Sequence, residues 1–375
     1  MQMIRLSFSV ATAFIGLSLA SAQTLATPKV KPIRVAIVGL VHGHVQGFLQ
    51  ALPNNKNAEL VAVVEPDTAL ADKYAARYHL APTLMYADTE KMLNEQHPDA
   101  VLVYTTIKDH RKVIEMAAAH GISSMVEKPL STTMEDAFAI REAARKHHVM
   151  VLVNYETTWY SSNGEALKEA GEGKLGNVRK VTVHDGHEGP KEIGVGPEWL
   201  PWLTDPAQAG AGALFDFGCY GADLMTVLMK GQAPISVTAV TQTDKPAVYP
   251  HADDDATVIL RYPTTQAVLM PSWDWSFARK DMEVYGDGGS LVTVGPDRVQ
   301  VRYHGEAKAA ERMAPPLPAE QSDSLGYLAA VLHGAVPAKG DLSALDTNIV
   351  VMQILTAARE SAHTGRTIEL KPLPQ

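Results

Sequence analysis

Along the first part of the chain, short apolar runs alternate with amphipathic ones. Ile33–Val38 is apolar except for Arg34 and breaks at Gly39, which predicts a buried strand ending in a glycine turn. Val45–Leu52 has helical spacing and is stopped by Pro53-Asn54-Asn55. Glu59–Val64 predicts a second buried strand, and Thr68–Tyr78 a helix. Strands over Asp99–Tyr104, Ser124–Val126 and Val149–Val153 then alternate with helices over Arg111–His120 and Met134–His147. Alternation at this spacing requires right-handed crossovers, and so a parallel sheet covered on both faces.

Beyond Asn154 the rhythm changes. Val178–Asp185, Ile235–Thr243, Ala256–Tyr262, Gln266–Ser272, Lys280–Tyr285 and Arg298–Tyr303 predict consecutive strands with few helices between them. Asp287-Gly288-Gly289 is a hairpin-type turn. One amphipathic helix, Leu214–Met229, interrupts the series, and a last helix, Leu345–His363, ends at Gly365. The expected fold class is α/β: an N-terminal Rossmann doubly wound parallel sheet over residues 33–153, then a C-terminal α+β domain over 154–375 with an open, largely antiparallel sheet. Residues 23–32 form a polar, proline-containing linker between this body and the N-terminal segment.

That segment reads as an address. Arg5, an apolar run over Leu6–Leu19 and then Ala20-Ser21-Ala22 predict a signal peptide over residues 1–22, with cleavage before Gln23. The apolar run falls short of the roughly 20 residues of a membrane span, and no Arg-Arg pair points to the twin-arginine route. A retained N-terminal anchor is the alternative. The mature chain is expected to be periplasmic or secreted, with no membrane span.

Composition narrows the partners. Of 375 residues 46% are hydrophobic and 20% charged, which suits two packed cores and not a disordered chain. The net charge is −9 with no basic stretch, so no surface can track nucleic-acid phosphates. Cys219 is the only cysteine, so no intramolecular disulfide can form.

The first candidate for chemistry is the turn Gly39-Leu40-Val41-His42-Gly43-His44. A dinucleotide turn uses glycines to let the backbone approach a pyrophosphate. Here the first glycine is in place, but Val41 and His44 stand at the second and third glycine positions. The turn alone equally suits an ordinary strand-to-helix connection. Glu65, ending the second strand, adds a carboxylate where ribose hydroxyls are held; it would repel a 2′-phosphate and favours NAD over NADP. Asp67 could take that role if the turn is shifted. Glu127-Lys128-Pro129 follows another buried strand, so Lys128 is delivered to the carboxyl edge of the sheet. Thr105 and His110 follow the strand before it and are candidate ribose or nicotinamide neighbours. Asp216, Tyr220 and Asp223 have i, i+4, i+7 spacing and would share one helical face. Tyr155, Glu156 and Trp159 open the second domain and suit stacking on a sugar and bonding to its hydroxyls, or interdomain packing. Trp199, Trp202, Trp273 and Trp275 carry the same ambiguity. His184-Asp185-Gly186-His187-Glu188 looks like a metal-ligand cluster but lacks a distant third ligand. It is read as a substrate loop with His187 facing substrate, and no metal is expected.

Taken together, the strand–Glu127-Lys128-Pro129 element, the Asp216-Phe217-Gly218-Cys219-Tyr220 run with Asp223, and the closing Glu360–Arg366 segment resemble the Gfo/Idh/MocA oxidoreductases from residue 33 to 370. The resemblance implies NAD or NADP as cofactor, sugars or polyols as substrates and a homo-oligomer, a dimer being expected. It implies that Lys128 stands beside the nicotinamide with Asp216 and Tyr220 as its partners, tyrosine standing where histidine is commoner. Hydride leaves a carbinol only as the hydroxyl proton is removed, and a nearby ammonium would favour the Tyr220 phenolate as base. The export leader sharpens the expectation to an oxidoreductase with a tightly held cofactor. A redox-neutral NAD-dependent glycoside hydrolase and a non-catalytic sugar-binding protein are the alternatives.

Overall fold

Fully apolar strands can be stable only where both faces of a sheet are covered, and the first sheet meets that condition. The computed structural model describes residues 31–374; the leader, its cleavage site and all but the end of the linker lie outside the described residues. The first lobe runs β1 (Ile33–Val38), α1 (Val45–Ala51), β2 (Ala58–Val64), α2 (Thr68–Tyr78), β3 (Met85–Tyr86), α3 (Thr89–Gln96), β4 (Ala100–Val103), α4 (His110–Ala119), β5 (Ser123–Glu127), α5 (Met134–His147) and β6 (Val151–Asn154). Its six strands are parallel in the order β3-β2-β1-β4-β5-β6. Connections therefore diverge between β1 and β4, the switch point at which such sheets open a crevice beyond their carboxyl edge. Along β1, Val35 and Ile37 join a core with Val45, Leu49 and Tyr74, while Ala36 and Val38 join the opposite one with Val113 and Ile114.

The second lobe contains α6 (Ser161–Gly171), β7 (Val178–Gly186), the one-turn helices α7 (Leu200–Leu203), α8 (Pro206–Ala209) and α9 (Ala213–Asp216), and then α10 (Gly218–Leu228). There follow β8 (Ser236–Gln242), β9 (Asp255–Arg261), β10 (Gln266–Ser272), β11 (Arg279–Gly286), β12 (Gly289–Gly295), β13 (Arg298–Tyr303), β14 (Ala310–Met313), α11 (Ser324–Leu332), α12 (Leu345–Thr364) and β15 (Ile368–Glu369). Nine strands form one mixed sheet, antiparallel except where β10 runs parallel to β7. Residues 32–375 cluster as one compact unit. The lobes interlock: Leu325, Tyr327 and Leu328 of α11 return to the core under β1.

Several expectations are corrected. The helix expected over Leu214–Met229 is two helices meeting at Phe217, so Asp216 and Tyr220 are not on one continuous helix. Helix α9 is anchored separately at its start: a side chain at Gly212 would strike the Asp253 carbonyl, and the Asp253 carboxylate receives the Gly212 and Leu214 N–H groups. Strand β12 and helices α3, α6 and α11 are present without being predicted by the apolar pattern.

Candidate active site in the interlobe cleft

Strand β5 carries Glu127 and Lys128 to the sheet's carboxyl edge, where the Lys128–Pro129 peptide is cis. Lys128 is buried, with its ammonium bonded to the Asp216 carboxylate (Oδ1) and, at 2.8 Å, to the Asp216 carbonyl. The other Asp216 oxygen accepts from the Trp273 indole N–H at 2.9 Å. Burial alone would neutralise both groups, yet their mutual attraction prevails: Lys128 is held above its ordinary pKa and Asp216 below. Tyr220 lies beneath this pair, its ring centre 5.1 Å from the Lys128 nitrogen. Its hydroxyl has no hydrogen-bond partner among the described residues. The expected phenolate is corrected: burial foremost, then the neighbouring Cys219 and Glu156, push the phenol well above its usual pKa, so it remains protonated.

The dinucleotide turn has a recognisable cradle. Gly39 has φ +87, and a side chain there would meet Thr105 and the Tyr104 carbonyl carbon at 2.7–2.9 Å, closing the crevice between β1 and β4. Beside it is a cavity of about 300 Å³ lined by Gly39, Pro66, Asp88, Thr105, Asp109 and Lys112. The Val41 and Gly43 N–H groups have no acceptor among the described residues. Above the turn, Trp199 packs on Gly43 so tightly that a side chain there would overlap the indole. Its ring lies 4.7 Å from that of His42 and 5.3 Å from that of His44, and its own N–H is buried without a partner. Trp202 donates to the Val41 carbonyl at 3.3 Å. An open crevice, free backbone donors and an orphaned indole N–H fit an anionic dinucleotide.

Other assigned residues divide between the cleft and the scaffold. Each Glu65 oxygen accepts a backbone N–H, from Leu40 at 2.8 Å and Asp67 at 3.0 Å, which fixes the carboxylate beside the turn with acceptor capacity left on both oxygens. Asp67 caps α2. His42 is covered by Trp199 and Trp202, and His110 is fully enclosed, bonded at 3.2 Å to the Leu130 carbonyl, so neither can touch a ligand as placed. His44 reaches Glu127 at 2.8 Å, and Glu127 also accepts from Asn154, which in turn accepts from Trp159. His44 therefore supports the Glu127-Lys128 corner. Tyr155 and Asp223 are corrected from substrate to scaffold. Tyr155 is buried against Tyr220 with its hydroxyl on Asn348, and Asp223 is buried facing Asp341, held well above its usual pKa by burial. Once Phe217 breaks the helix, the i+7 position turns into the core.

His187, Glu156 and Trp159 do line the cleft region. His187 accepts from Gly189 N–H through Nδ1, which leaves Nε2 to carry the proton, and it feels both Asp216 and Lys128. Successive strand residues alternate faces, so His184 goes instead to the open side of the sheet beside Asp281 and Glu283. His184 and His187 thus cannot share one ion. Among the described residues His42, His44 and Glu127 also lie close enough to hold one, but the His44–Glu127 hydrogen bond already uses that geometry. Two cleft residues escaped the sequence reading, Lys280 and Asn154, and Asp185 entered it only as part of the loop that carries His187. Lys280 and Asp185 are ladder partners on β11 and β7, a pairing that only the register reveals.

The parallel sheet, its switch-point crevice and the lysine at the carboxyl edge define a dinucleotide-binding Rossmann protein with an open-sheet partner lobe. More particularly, the chain belongs to the Gfo/Idh/MocA oxidoreductase family. Residues 33–155 match its NAD-binding Rossmann-fold model and residues 165–292 its C-terminal domain. It is 27% identical over 232 residues to the human trans-1,2-dihydrobenzene-1,2-diol dehydrogenase, covering 61% of this chain and 64% of that protein. It is also 27% identical over 197 residues to a dTDP-3,4-didehydro-2,6-dideoxy-alpha-D-glucose 3-reductase of Saccharopolyspora spinosa, covering 51% and 54%. The chain thus spans just under two thirds of the diol dehydrogenase and a little over half of the reductase. Among solved structures, the aldose-aldose oxidoreductase of Caulobacter crescentus complexed with glycerol superposes with a TM-score of 0.76 at 24% identity, covering 90% of this chain and all of that one. An inositol dehydrogenase homolog of Azotobacter vinelandii complexed with NAD+ gives 0.77 at 20%, covering 92% and 99%. These superpositions speak to the fold.

Proposed function

We propose that this protein is an NAD-dependent oxidoreductase acting on a hydroxyl of a sugar or related polyol, and that it holds its cofactor tightly. One observation carries the reading: a buried lysine–aspartate pair over an unpartnered tyrosine hydroxyl, at the carboxyl edge of a sheet whose crevice suits a dinucleotide. The relatives' names, a diol dehydrogenase and a sugar reductase, point to the same chemistry. The residues lining the crevice would hold NAD, which when bound supplies the hydride acceptor or donor. Lys128 polarises the substrate oxygen and keeps that role because Asp216 secures its charge. Tyr220, a neutral phenol, donates to a carbonyl oxygen in the reductive direction and receives the proton in the oxidative one only after losing its own. His187 presents an N–H to a neighbouring hydroxyl. NAD is preferred over NADP because Asp88 and Asp109 outnumber Lys112 around the cavity beside Gly39.

Tyr220→Phe should lower kcat by about 10²–10³ while calorimetry shows NAD binding unchanged. Lys128→Met should do the same, with a lower Tm because it strands the Asp216 charge. Near-normal kcat in either variant removes that residue from the mechanism.

The proposal extends to location. No helix among the described residues is long and apolar enough to cross a membrane, and residues 1–22 are read as an export leader delivering the chain to the periplasm or beyond. N-terminal sequencing should find Gln23 first; an intact Met1 in cytoplasmic protein overturns it.

A further inference from the structure

Arg359 stands on α12, far along the chain from the reacting residues, with its side chain partly buried. Among the described residues no carboxylate forms an ion pair with it, and burial alone acts on its charge, lowering its pKa. A guanidinium so placed loses water without gaining an anion, and an apolar side chain of similar length would fill the space at less cost. What it gains instead is a pair of carbonyls. One nitrogen, Nη1, donates to the Gly210 carbonyl at 2.8 Å and to the Thr132 carbonyl at 3.2 Å. Its central carbon lies over the Phe215 ring, 4.9 Å from the ring centre.

These contacts fall on the two segments that carry the buried lysine–aspartate pair. Thr132 stands in the loop that begins at Lys128, between the end of β5 and the Thr133 cap of α5. Gly210 lies between α8 and α9, and Phe215 is the neighbour of Asp216 within α9. Gly210 and Phe215 also meet each other: Gly210 has φ +95, and a side chain there would overlap the Phe215 ring. Lys128 belongs to the first lobe and Asp216 to the second. Their own bond is one polar tie between these segments, and Arg359 supplies another.

We infer that Arg359 is a positioning residue: by fixing the Gly210 and Thr132 carbonyls on one nitrogen, with the Phe215 ring beneath its guanidinium, it sets the approach of Lys128 to Asp216. Arg359 bonds backbone on both segments and no reacting side chain, so it acts through them. Charge-assisted bonds hold their partners better than neutral ones. The demand is strict, because a misplacement of about 1 Å in a reacting group can cost about 10²-fold in rate. For its effect on rate the inference rests on the proposed dehydrogenase reading. For its effect on the pair it rests on geometry alone.

Arg359→Met keeps the apolar stem and removes both bonds. The full chain carrying it is assayed with NAD+ and D-glucose, D-xylose or myo-inositol as probe, and is crystallised. On the best probe kcat should fall about 10- to 100-fold, with KM and NAD affinity within about threefold of wild type. Arg359→Lys, which restores a cation able to donate to the carbonyls, should recover most of the loss. In a Lys128→Met background Arg359→Met should cost no more than about twofold further, because the pair it positions is already gone. Equal losses in both backgrounds mark a merely structural role and overturn the inference, as does a kcat within about threefold of wild type. Should Arg359→Met fail to fold, Arg359→Gln, neutral and too short to span both carbonyls, carries the same expectations. The crystal structure separates the inference from the reading beneath it. A wild type that oxidises none of the probes counts against the dehydrogenase reading. In that case, too, a variant with Lys128 and Asp216 drawn out of ion-pair reach supports the positioning role, and an unmoved pair overturns it.

Discussion

At Tyr220 the local environment reverses what residue types alone suggest. An ammonium 5.1 Å away would ordinarily draw a phenol toward ionisation, but enclosure and nearby anionic groups prevail and keep the proton in place. The sign of the pH response follows. Carbonyl reduction uses the phenol as donor, so its rate should stay level through neutral pH and fall only in strongly alkaline solution. Alcohol oxidation needs the deprotonated oxygen, so its rate should climb with pH across the same range. Paired pH profiles of the two directions check this, and both dependences should vanish in Tyr220→Phe. A bell centred near neutrality for oxidation would move the base to His187 or another group. The signals for Lys128 and Asp216 were legible in the sequence because each sits at the end of a strongly patterned element. Lys280 was not, since its position depends on pairing with β7 and on a turn 124 residues upstream.

Among the elements, the segment from Glu198 to Trp202 does the most to shape the cofactor region. Glu198 bonds Lys73 at 3.0 Å and Tyr74 at 3.1 Å on α2, Trp199 seats on Gly43, and Trp202 holds Val41. A strap from the second lobe thus lies across the turn of the first. This arrangement gives the proposed cofactor retention a physical basis: release must lift two indoles from an apolar seat. Trp199→Ala should speed NAD release by about tenfold or more, from an apolar contact loss of about 2–3 kcal/mol. Stopped-flow displacement of NADH fluorescence measures the rate directly. Unchanged release would show that the strap plays no part in retention. The same strap explains the departures from a glycine-only turn. His42 packs under the two tryptophans, and His44 has its partner in Glu127, so the bulk at these positions is accommodated by contacts that the turn's own sequence does not reveal.

For the whole molecule, the open sheet decides what remains unpartnered. Its inner face is covered by α6, α10 and α12, while Val240, Ile259, Tyr285 and Val294 on the other face stay exposed. A sheet face with that apolar content needs cover, and we propose a homodimer formed through it. Ile259→Lys with Val240→Lys should convert a two-chain mass to a one-chain mass in light scattering at micromolar concentration, with the Tm of the Rossmann core little changed. A one-chain mass for the wild type excludes the proposal. Sequence alone determined the order and kind of the main elements, since β-branched runs and 3.6-residue spacing are local properties. It also determined the dinucleotide-binding lobe and the lysine at its edge, because strand–turn–helix chemistry is read over a few neighbouring residues. Only the tertiary structure decided which side of α10 faces the cleft, since the break at Phe217 turns Asp223 into the core. It alone brought Glu156 to Lys280 and laid Trp199 on Gly43, because burial and ion pairing between distant segments depend on how lobes and strands come together, and no local pattern encodes that.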